Sequence, residues 1–371
     1  MRQAATRRHD VVVIGGGQNG LAAGYHLARA GIDHVILERA PTVGDVWRSR
    51  YDSLTLYSPA RFDALPGLPF PLEPMDFPTG RQMADYLESY AEHLGLPVLT
   101  GVEVEGLRPR REDRGYEVTT SAGVVEAVSV ILATGPYQRP AVPAFAEELD
   151  AGIGQVHSAD YRNPDQIAAG PVLVVGASHS GSDLAFELVR THRTYLAGRS
   201  HGQFPISVDS RLGRVLWPLF RATFTKVLTL DTPIGRKMAP MVRAHGAPLL
   251  RHRWNDLRQA GVEWIPERVL GVEDGKPKLE SGRVLDVASV VWCTGFEADY
   301  SWIEPSIVGE DGWPTQQRGV VTGAPGLYVL GTPFLHSFAS MLVTGAGVDA
   351  RHVVDHIRAS RTASVAMPAV A

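Results

Sequence analysis

The sequence of 371 residues holds a single cysteine, Cys293. A lone cysteine excludes an intramolecular disulfide framework and the paired-thiol chemistry of a CxxC reductase. Long apolar runs are missing too: none approaches the roughly 18 residues that a membrane-spanning helix needs. Neither sign of charge dominates. The formal net charge is -4, which gives no reason to expect a nucleic-acid partner. The amino terminus, MRQAATRRHD, is basic but runs directly into VVVIGGG, leaving no room for the apolar core and cleavage site of a signal peptide. A soluble, reduced, cytoplasmic setting is the resulting expectation. The 44% hydrophobic and 20% charged residues are ordinary globular composition. The length allows two or three domains, each burying its own core.

Glycine, by contrast, is plentiful and patterned. Residues 10–14, DVVVI, read as a short buried strand that runs into Gly15-Gly16-Gly17-Gln18-Asn19-Gly20. A helix-patterned run, LAAGYHLARAG, and a second strand, HVILE, follow. This is GxGxxG in a strand–turn–helix–strand setting. Gly15 makes the tight turn, Gly17 admits a pyrophosphate to the backbone, and Gly20 lets helix pack on strand. The helix N-terminus offers unpaired N–H groups and a positive dipole end to phosphate. Glu38, at the tip of the second strand, is placed to accept bonds from ribose hydroxyls.

The same plan recurs 161 positions later, where VLVVGASHSGSDLAFELVRTHRTYLAGR contains Gly176, Ser178, His179, Ser180 and Gly181. In a gapless register Gly15 falls on Gly176, Gly20 on Gly181, Gly17 on Ser178 and Glu38 on Arg199. An acid at this tip suits a free ribose, whereas an arginine grips a 2′-phosphate with its planar fork. Two different dinucleotides are implied, FAD in the first site and NADPH in the second. The fold class that follows is α/β with two Rossmann-like dinucleotide-binding domains.

With these motifs the chain resembles the flavin-dependent monooxygenases that bind two dinucleotides, a group that includes flavin-containing monooxygenases, YUCCA enzymes and Baeyer–Villiger enzymes. GDVWRSRYDSLTLYSP (44–59), HSADY (157–161), ILATGPYQRPAVP (131–143), VVWCTGF (290–296) and PGLYVLGTPFLHSFASMLVTGAG (325–347) carry the likeness. It implies a discontinuous FAD domain, residues 1–150 and 296–371, with an NADPH domain, 151–295, inserted between. It also implies that NADPH reduces FAD, that the reduced flavin forms a C4a-(hydro)peroxide with O2, and that one oxygen atom passes to a small nitrogen, sulfur or carbonyl substrate. Cofactor contacts are then expected at Gly15, Gly17, Gln18, Asn19, Gly20, Glu38, Arg39, Trp47, Gly135, Gly176, Ser178, His179, Ser180, Gly181, Arg199, Gly295, Gly331 and Thr332. The pattern departs at Gly44-Asp45-Val46-Trp47, where a left-handed backbone at Asp45 would be strained. Thr332 stands where many related disulfide reductases have an aspartate, and Tyr57 stands where flavin-containing monooxygenases place an asparagine facing the flavin.

The flavin carries the oxidation in such enzymes, so no nucleophile–base set is required. Tyr57 is the first candidate beside the reacting oxygen, because a phenol donates a hydrogen bond in an apolar pocket; a packed tyrosine is the other reading. His157 and Tyr161, at the entry to the second domain, either couple the domains or serve as linker. His336 either approaches the flavin or faces solvent. Cys293 ends an apolar strand and reads as an inert thiol. His352 and His356 have the i,i+4 spacing of a zinc pair but lack the accompanying glutamate and third ligand, so no metal is expected.

Residues 209–261 fit the dinucleotide plan least. They carry ten lysines and arginines against three aspartates, interleaved with apolar residues at roughly helical spacing. A lid over the cleft, a basic amphipathic helix on an anionic membrane and a subunit contact within a homodimer are the three readings. For function, an NADPH dehydrogenase or oxidase delivering electrons to a quinone or to O2, and an NADP(H)-sensing flavoprotein, stand beside the monooxygenase.

Overall fold

The computed structural model describes residues 7–110, 115–244 and 248–366. Strand β1 (Arg7–Ile14), helix α1 (Gln18–Arg29) and strand β2 (His34–Leu37) open the chain. Val11, Val12 and Val13 are fully buried, because this strand is covered on both faces and a continuous apolar run satisfies both. Helix α2 (Gly80–His93) begins with a reciprocal cap between Thr79 and Gln82 and leads to β3 (Val98–Leu99). Strand β4 (Gly123–Leu132) then enters on the other side of β1.

The chain leaves this sheet for a second one. Strands β5 (Gly154–His157) and β6 (Val172–Val175), helix α3 (His179–Leu188) and strand β7 (Thr194–Ala197) repeat the opening plan. Two helices follow, α4 (Arg211–Ala222) and α5 (Pro233–Ala244), before β8 (Glu263–Ile265) and β9 (Ser289–Trp292) complete the sheet. Its order is β8-β7-β6-β9-β5, all parallel. The chain then returns as β10 (Leu327–Val329) beside β4, giving a parallel core β10-β4-β1-β2-β3, and ends in α6 (Val343–Ala366), packed on α1. The outgoing and returning segments lie side by side, Arg139–Pro140 pairing antiparallel with Phe296–Glu297.

Both glycine turns are built alike. Gly15 has φ +107, and a Cβ there would stand 2.6 Å from the Ala133 carbonyl oxygen. Gly176 has φ +111, and a Cβ there would stand closer still to the Cys293 carbonyl oxygen. Positive φ and backbone contact together leave no alternative to glycine.

The gapless register of the repeat fails at its far end. Gly15 N–H donates to Leu37 O and Gly176 N–H to Ala197 O, each at 2.8 Å. The second unit is therefore one residue shorter: its helix has ten residues against twelve, and its link to the next strand is one residue longer. Glu38 corresponds to Gly198, and Arg199 to Arg39.

The strain expected at Asp45 is also corrected. Gly44 takes the left-handed conformation, φ +88, tight against the Ala84 carbonyl, and Asp45 starts a short helix, Asp45–Arg48.

Helices α4 and α5 lie over the first sheet's domain and are tied to it. Trp217 is buried and stacks on Phe62 with ring centroids 5.7 Å apart. Arg221 Nε donates to Thr344 Oγ1 at 3.1 Å, and Arg243 donates to the carbonyls of Pro333 and Phe334, both at 3.2 Å. These contacts pack the excursion on the first domain as an intramolecular cover.

Candidate functional site

The first nucleotide cradle lies at the carboxyl ends of β1 and β2. A Cβ on Gly17 would meet nothing within 4 Å, so the space beside the N-terminus of α1 is open to a ligand. Glu38 is held rigidly: its carboxylate accepts Gly16 N–H at 2.6 Å and Ala40 N–H at 2.8 Å. Those bonds leave lone pairs on both oxygens for ribose hydroxyls. Asn19 is buried against Gly331, Thr332 is buried beyond it, and the indole N–H of Trp47 is buried with no acceptor. A buried donor without a partner costs free energy unless a ligand satisfies it, and FAD's acceptor-rich ring system suits that position. Gln18 opens α1 beside this space, while Arg39 is exposed and faces Glu103 at 3.8 Å. The cradle fits FAD.

The second cradle repeats the first with two changes. Ser178 is extended, φ −110, as is Gly17, φ −77. The position demands no glycine for its backbone; serine narrows the room left for pyrophosphate and brings a hydroxyl to it. At the strand tip Gly198 removes the carboxylate altogether, and Arg199 follows, half exposed and bonded to Glu280 at 2.6 Å. A tip with no acid and a guanidinium one residue on suits a 2′-phosphate better than a free ribose. His179 and Ser180 start α3, and Gly181 packs against the Gly176 carbonyl.

Between the cradles lies a half-buried polar cluster that spacing does not reveal. Tyr57 Oη donates to Asp183 Oδ2 at 2.7 Å, and Tyr51 Oη approaches the same oxygen at 3.4 Å. The Tyr57 ring lies 4.9 Å from the ring of His179 and 4.9 Å from the guanidinium of Arg251. Burial, then the neighbouring Asp183 carboxylate, pushes the Tyr57 phenol far above its usual range, so it remains a proton donor at every working pH. Arg251 also donates to the carbonyls of Thr55 at 3.0 Å and Leu56 at 2.6 Å and to Asp209 at 2.9 Å. It therefore joins the two domains. Asp183 and Arg251 escaped the sequence reading. The one available signal is that Asp183 lies four residues after His179, on the same face of α3.

The remaining candidates occupy separate places. His157 Nε2 lies 3.0 Å from Gly295 O, and Nδ1 takes Ala159 N–H at 3.1 Å. A ring nitrogen accepting a backbone N–H leaves Nε2 as the donor to Gly295. Burial lowers its pKa, and it props the second crossing, Gly295, as a neutral ring. The first crossing, Gly135, has φ +70 and open space beside it. Arg50 stands at these crossings, its guanidinium 5.4 Å from the Tyr137 ring and 5.2 Å from the Phe296 ring. Tyr161 is fully buried and donates to Glu187 at 2.8 Å inside the second domain. His336 lies away from Tyr57, 3.7 Å from Asp231 of the cover. Tyr57, His157, Tyr161 and His336 do not converge on one point. Packing around the Cys293 thiol pushes it up to about 12, in keeping with an inert group. His356 Nδ1 meets Tyr328 Oη at 3.1 Å, and among the described residues no group of three ligating side chains could hold a metal.

Known proteins share this architecture. The family model described as pyridine nucleotide-disulphide oxidoreductase matches residues 12–230. A CzcO-like uncharacterized oxidoreductase of Geobacillus kaustophilus is 37% identical over 350 residues, covering 94% of this chain and 98% of its own. A probable indole-3-pyruvate monooxygenase of Arabidopsis thaliana, YUCCA7, is 28% identical over 93% of this chain and 86% of its own. The solved flavin-containing monooxygenase of Stenotrophomonas maltophilia superposes with a TM-score of 0.77 at 27% identity, covering 96% of this chain and 99% of that one.

Proposed function

The chain belongs to the pyridine nucleotide-disulphide oxidoreductase family and is a flavin monooxygenase-like oxidoreductase; from that premise we propose that it is an FAD-dependent monooxygenase using NADPH. The observation that carries the reading is the pair of unlike strand tips, Glu38-Arg39 in one cradle and Gly198-Arg199 in the other, which differ by the acid. The lone thiol adds to it. With Cys293 packed behind the Gly176 turn, no protein dithiol is present to receive electrons, and the acceptor must come from outside.

Bound FAD would supply hydride acceptance and oxygen activation. The protein's own tasks are positional. The turn at Gly15 and the N-terminus of α1 hold one pyrophosphate, and Glu38 fixes its ribose. Ser178 Oγ and the N-terminus of α3 hold the other pyrophosphate, while Arg199 exchanges Glu280 for the 2′-phosphate. Tyr57, Arg251 and Asp183 close the seam between the domains against water, which lengthens the life of any reactive species inside. One observation favours an NADPH oxidase or dehydrogenase instead: the Tyr57 proton is already committed to Asp183.

A stopped-flow experiment separates these readings. The FAD-loaded protein is reduced by NADPH without oxygen and then mixed with oxygen. Oxygen uptake that precedes hydrogen peroxide release by a measurable delay supports the monooxygenase. Immediate, stoichiometric peroxide identifies an oxidase, and failure of NADPH to reduce the flavin identifies a sensor.

A further inference from the structure

The cover formed by α4 and α5 turns an unusual face to solvent. Of the fourteen large hydrophobic residues exposed among the described residues, six lie within residues 211–244: Leu212, Val215, Leu219, Val227, Ile234 and Met241. Isolated exposed apolar residues are normal, but a cluster marks a contact surface. On α4 the exposed positions follow the i, i+3, i+7 spacing of one helix side, and exposure reaches 74% at Val215. The opposite side is spent on the protein itself: Trp217 and Gly213 are buried, so the outward side is free for another surface.

Charge identifies that surface. Residues 211–244 contain seven lysines and arginines and one acid, Asp231, in a chain of net charge -4. Arg214 and Arg243 turn inward to Asp76 and Asp311, and Arg221 to Thr344. Arg211, Lys226, Arg236 and Lys237 are exposed, and no carboxylate pairs with them among the described residues. A two-fold contact between copies would set this patch against itself, cation against cation, with no acid to neutralise it. A nucleic-acid backbone would satisfy the cations but leave the apolar ridge in water. The headgroup layer of an anionic membrane satisfies both, taking the apolar side chains among its acyl chains and the cations among its phosphates.

We propose that the α4–α5 cover is a peripheral docking surface for anionic lipid membranes, with Leu212, Val215 and Leu219 as the inserting ridge. Among the described residues no helix is long and apolar enough to cross a membrane; the attachment is to the surface only and is reversible by salt. Because the same cover is bonded to Thr344 and to the Pro333 and Phe334 carbonyls beside the first cradle, docking brings the cleft to the lipid surface.

The test is sedimentation of the full-length, FAD-loaded protein with phosphatidylcholine vesicles made with or without phosphatidylglycerol. The protein is expected to pellet with the anionic vesicles at low salt. Pelleting should fall at least about tenfold with neutral vesicles or at high salt, since the attraction of surface cations to anionic headgroups is screened by salt. Val215→Glu with Leu219→Glu should abolish pelleting and leave reduction of the flavin by NADPH unchanged. Lys226→Glu with Lys237→Glu, which leaves the ridge intact, should weaken it by a similar factor. Protein that stays in the supernatant with anionic vesicles overturns the proposal, as does equal binding to both vesicle types. A solution dimer that Val215→Glu with Leu219→Glu dissolves overturns it in favour of a second copy.

Discussion

Ser178 and Gly17 hold the same place in two loops with nearly the same extended backbone. Ser178→Gly therefore relieves no strain; it enlarges the space for pyrophosphate and deletes one hydroxyl donor. Those effects oppose each other, and the expected outcome is a change of NADPH affinity of less than about tenfold, the scale of one neutral hydrogen bond. Arg199 acts differently, because its fork meets a charged group present only on NADPH. Arg199→Ala should raise KM for NADPH about tenfold or more and leave KM for NADH unchanged, the difference expected of a charge-assisted contact. Steady-state reduction of the flavin by each nucleotide measures both. Equal losses with NADH and NADPH would place Arg199 outside the 2′-phosphate site.

At the scale of elements, Arg251 makes more bonds across the seam between the two domains than Tyr57 does. Arg251 spends its guanidinium on the carbonyls of Thr55 and Leu56 and on Asp209, each of which loses a partner if it goes. Arg251→Met should lower stability by about 2–4 kcal/mol, the range for orphaning buried polar and charged groups. It should also split thermal unfolding into two steps by uncoupling the domains; calorimetry of the FAD-loaded protein shows whether one transition becomes two. These elements also show what was readable beforehand. The glycine turns were legible, because positive φ and backbone contact force the residue type at Gly15 and Gly176. The slip that sets Gly198 rather than Arg199 opposite Glu38 was not, since a helix two residues shorter with a link one residue longer leaves the glycine spacing untouched. Nor was the Tyr57–Asp183 bond, whose partners are 126 residues apart and meet only through the docking of two domains. The cover's basic, apolar pattern was visible, but which side faced inward depended on contacts with Phe62 and Thr344 made by distant parts of the chain.

For the whole molecule, burial of ionisable groups sets the response to pH. His26, His34, His157, His179, His252, His336 and His352 all have lowered pKa values, with burial the leading cause. Each binds a proton less readily in the folded than in the unfolded chain. Their contribution is therefore present above the unfolded value of about 6.5 and is lost as pH falls below it. Two buried acids work the other way. Burial raises Asp63 well above its ordinary range and Asp349 to about 6. The folded chain keeps their protons where the unfolded chain has lost them, so their contribution is greatest at low pH and is lost as pH rises through the folded value. Between pH 7.5 and 5.5 the histidines outnumber the acids, and Tm of the FAD-loaded protein should fall. Asp349→Asn, which removes one opposing group while keeping an acceptor for Ser340, should raise Tm at pH 7.5. Its advantage should shrink toward zero near pH 4, where wild-type Asp349 is protonated in the fold, making the variant's decline on acidification the steeper of the two. A gain of the same size at every pH would show that Asp349 is not the titrating group.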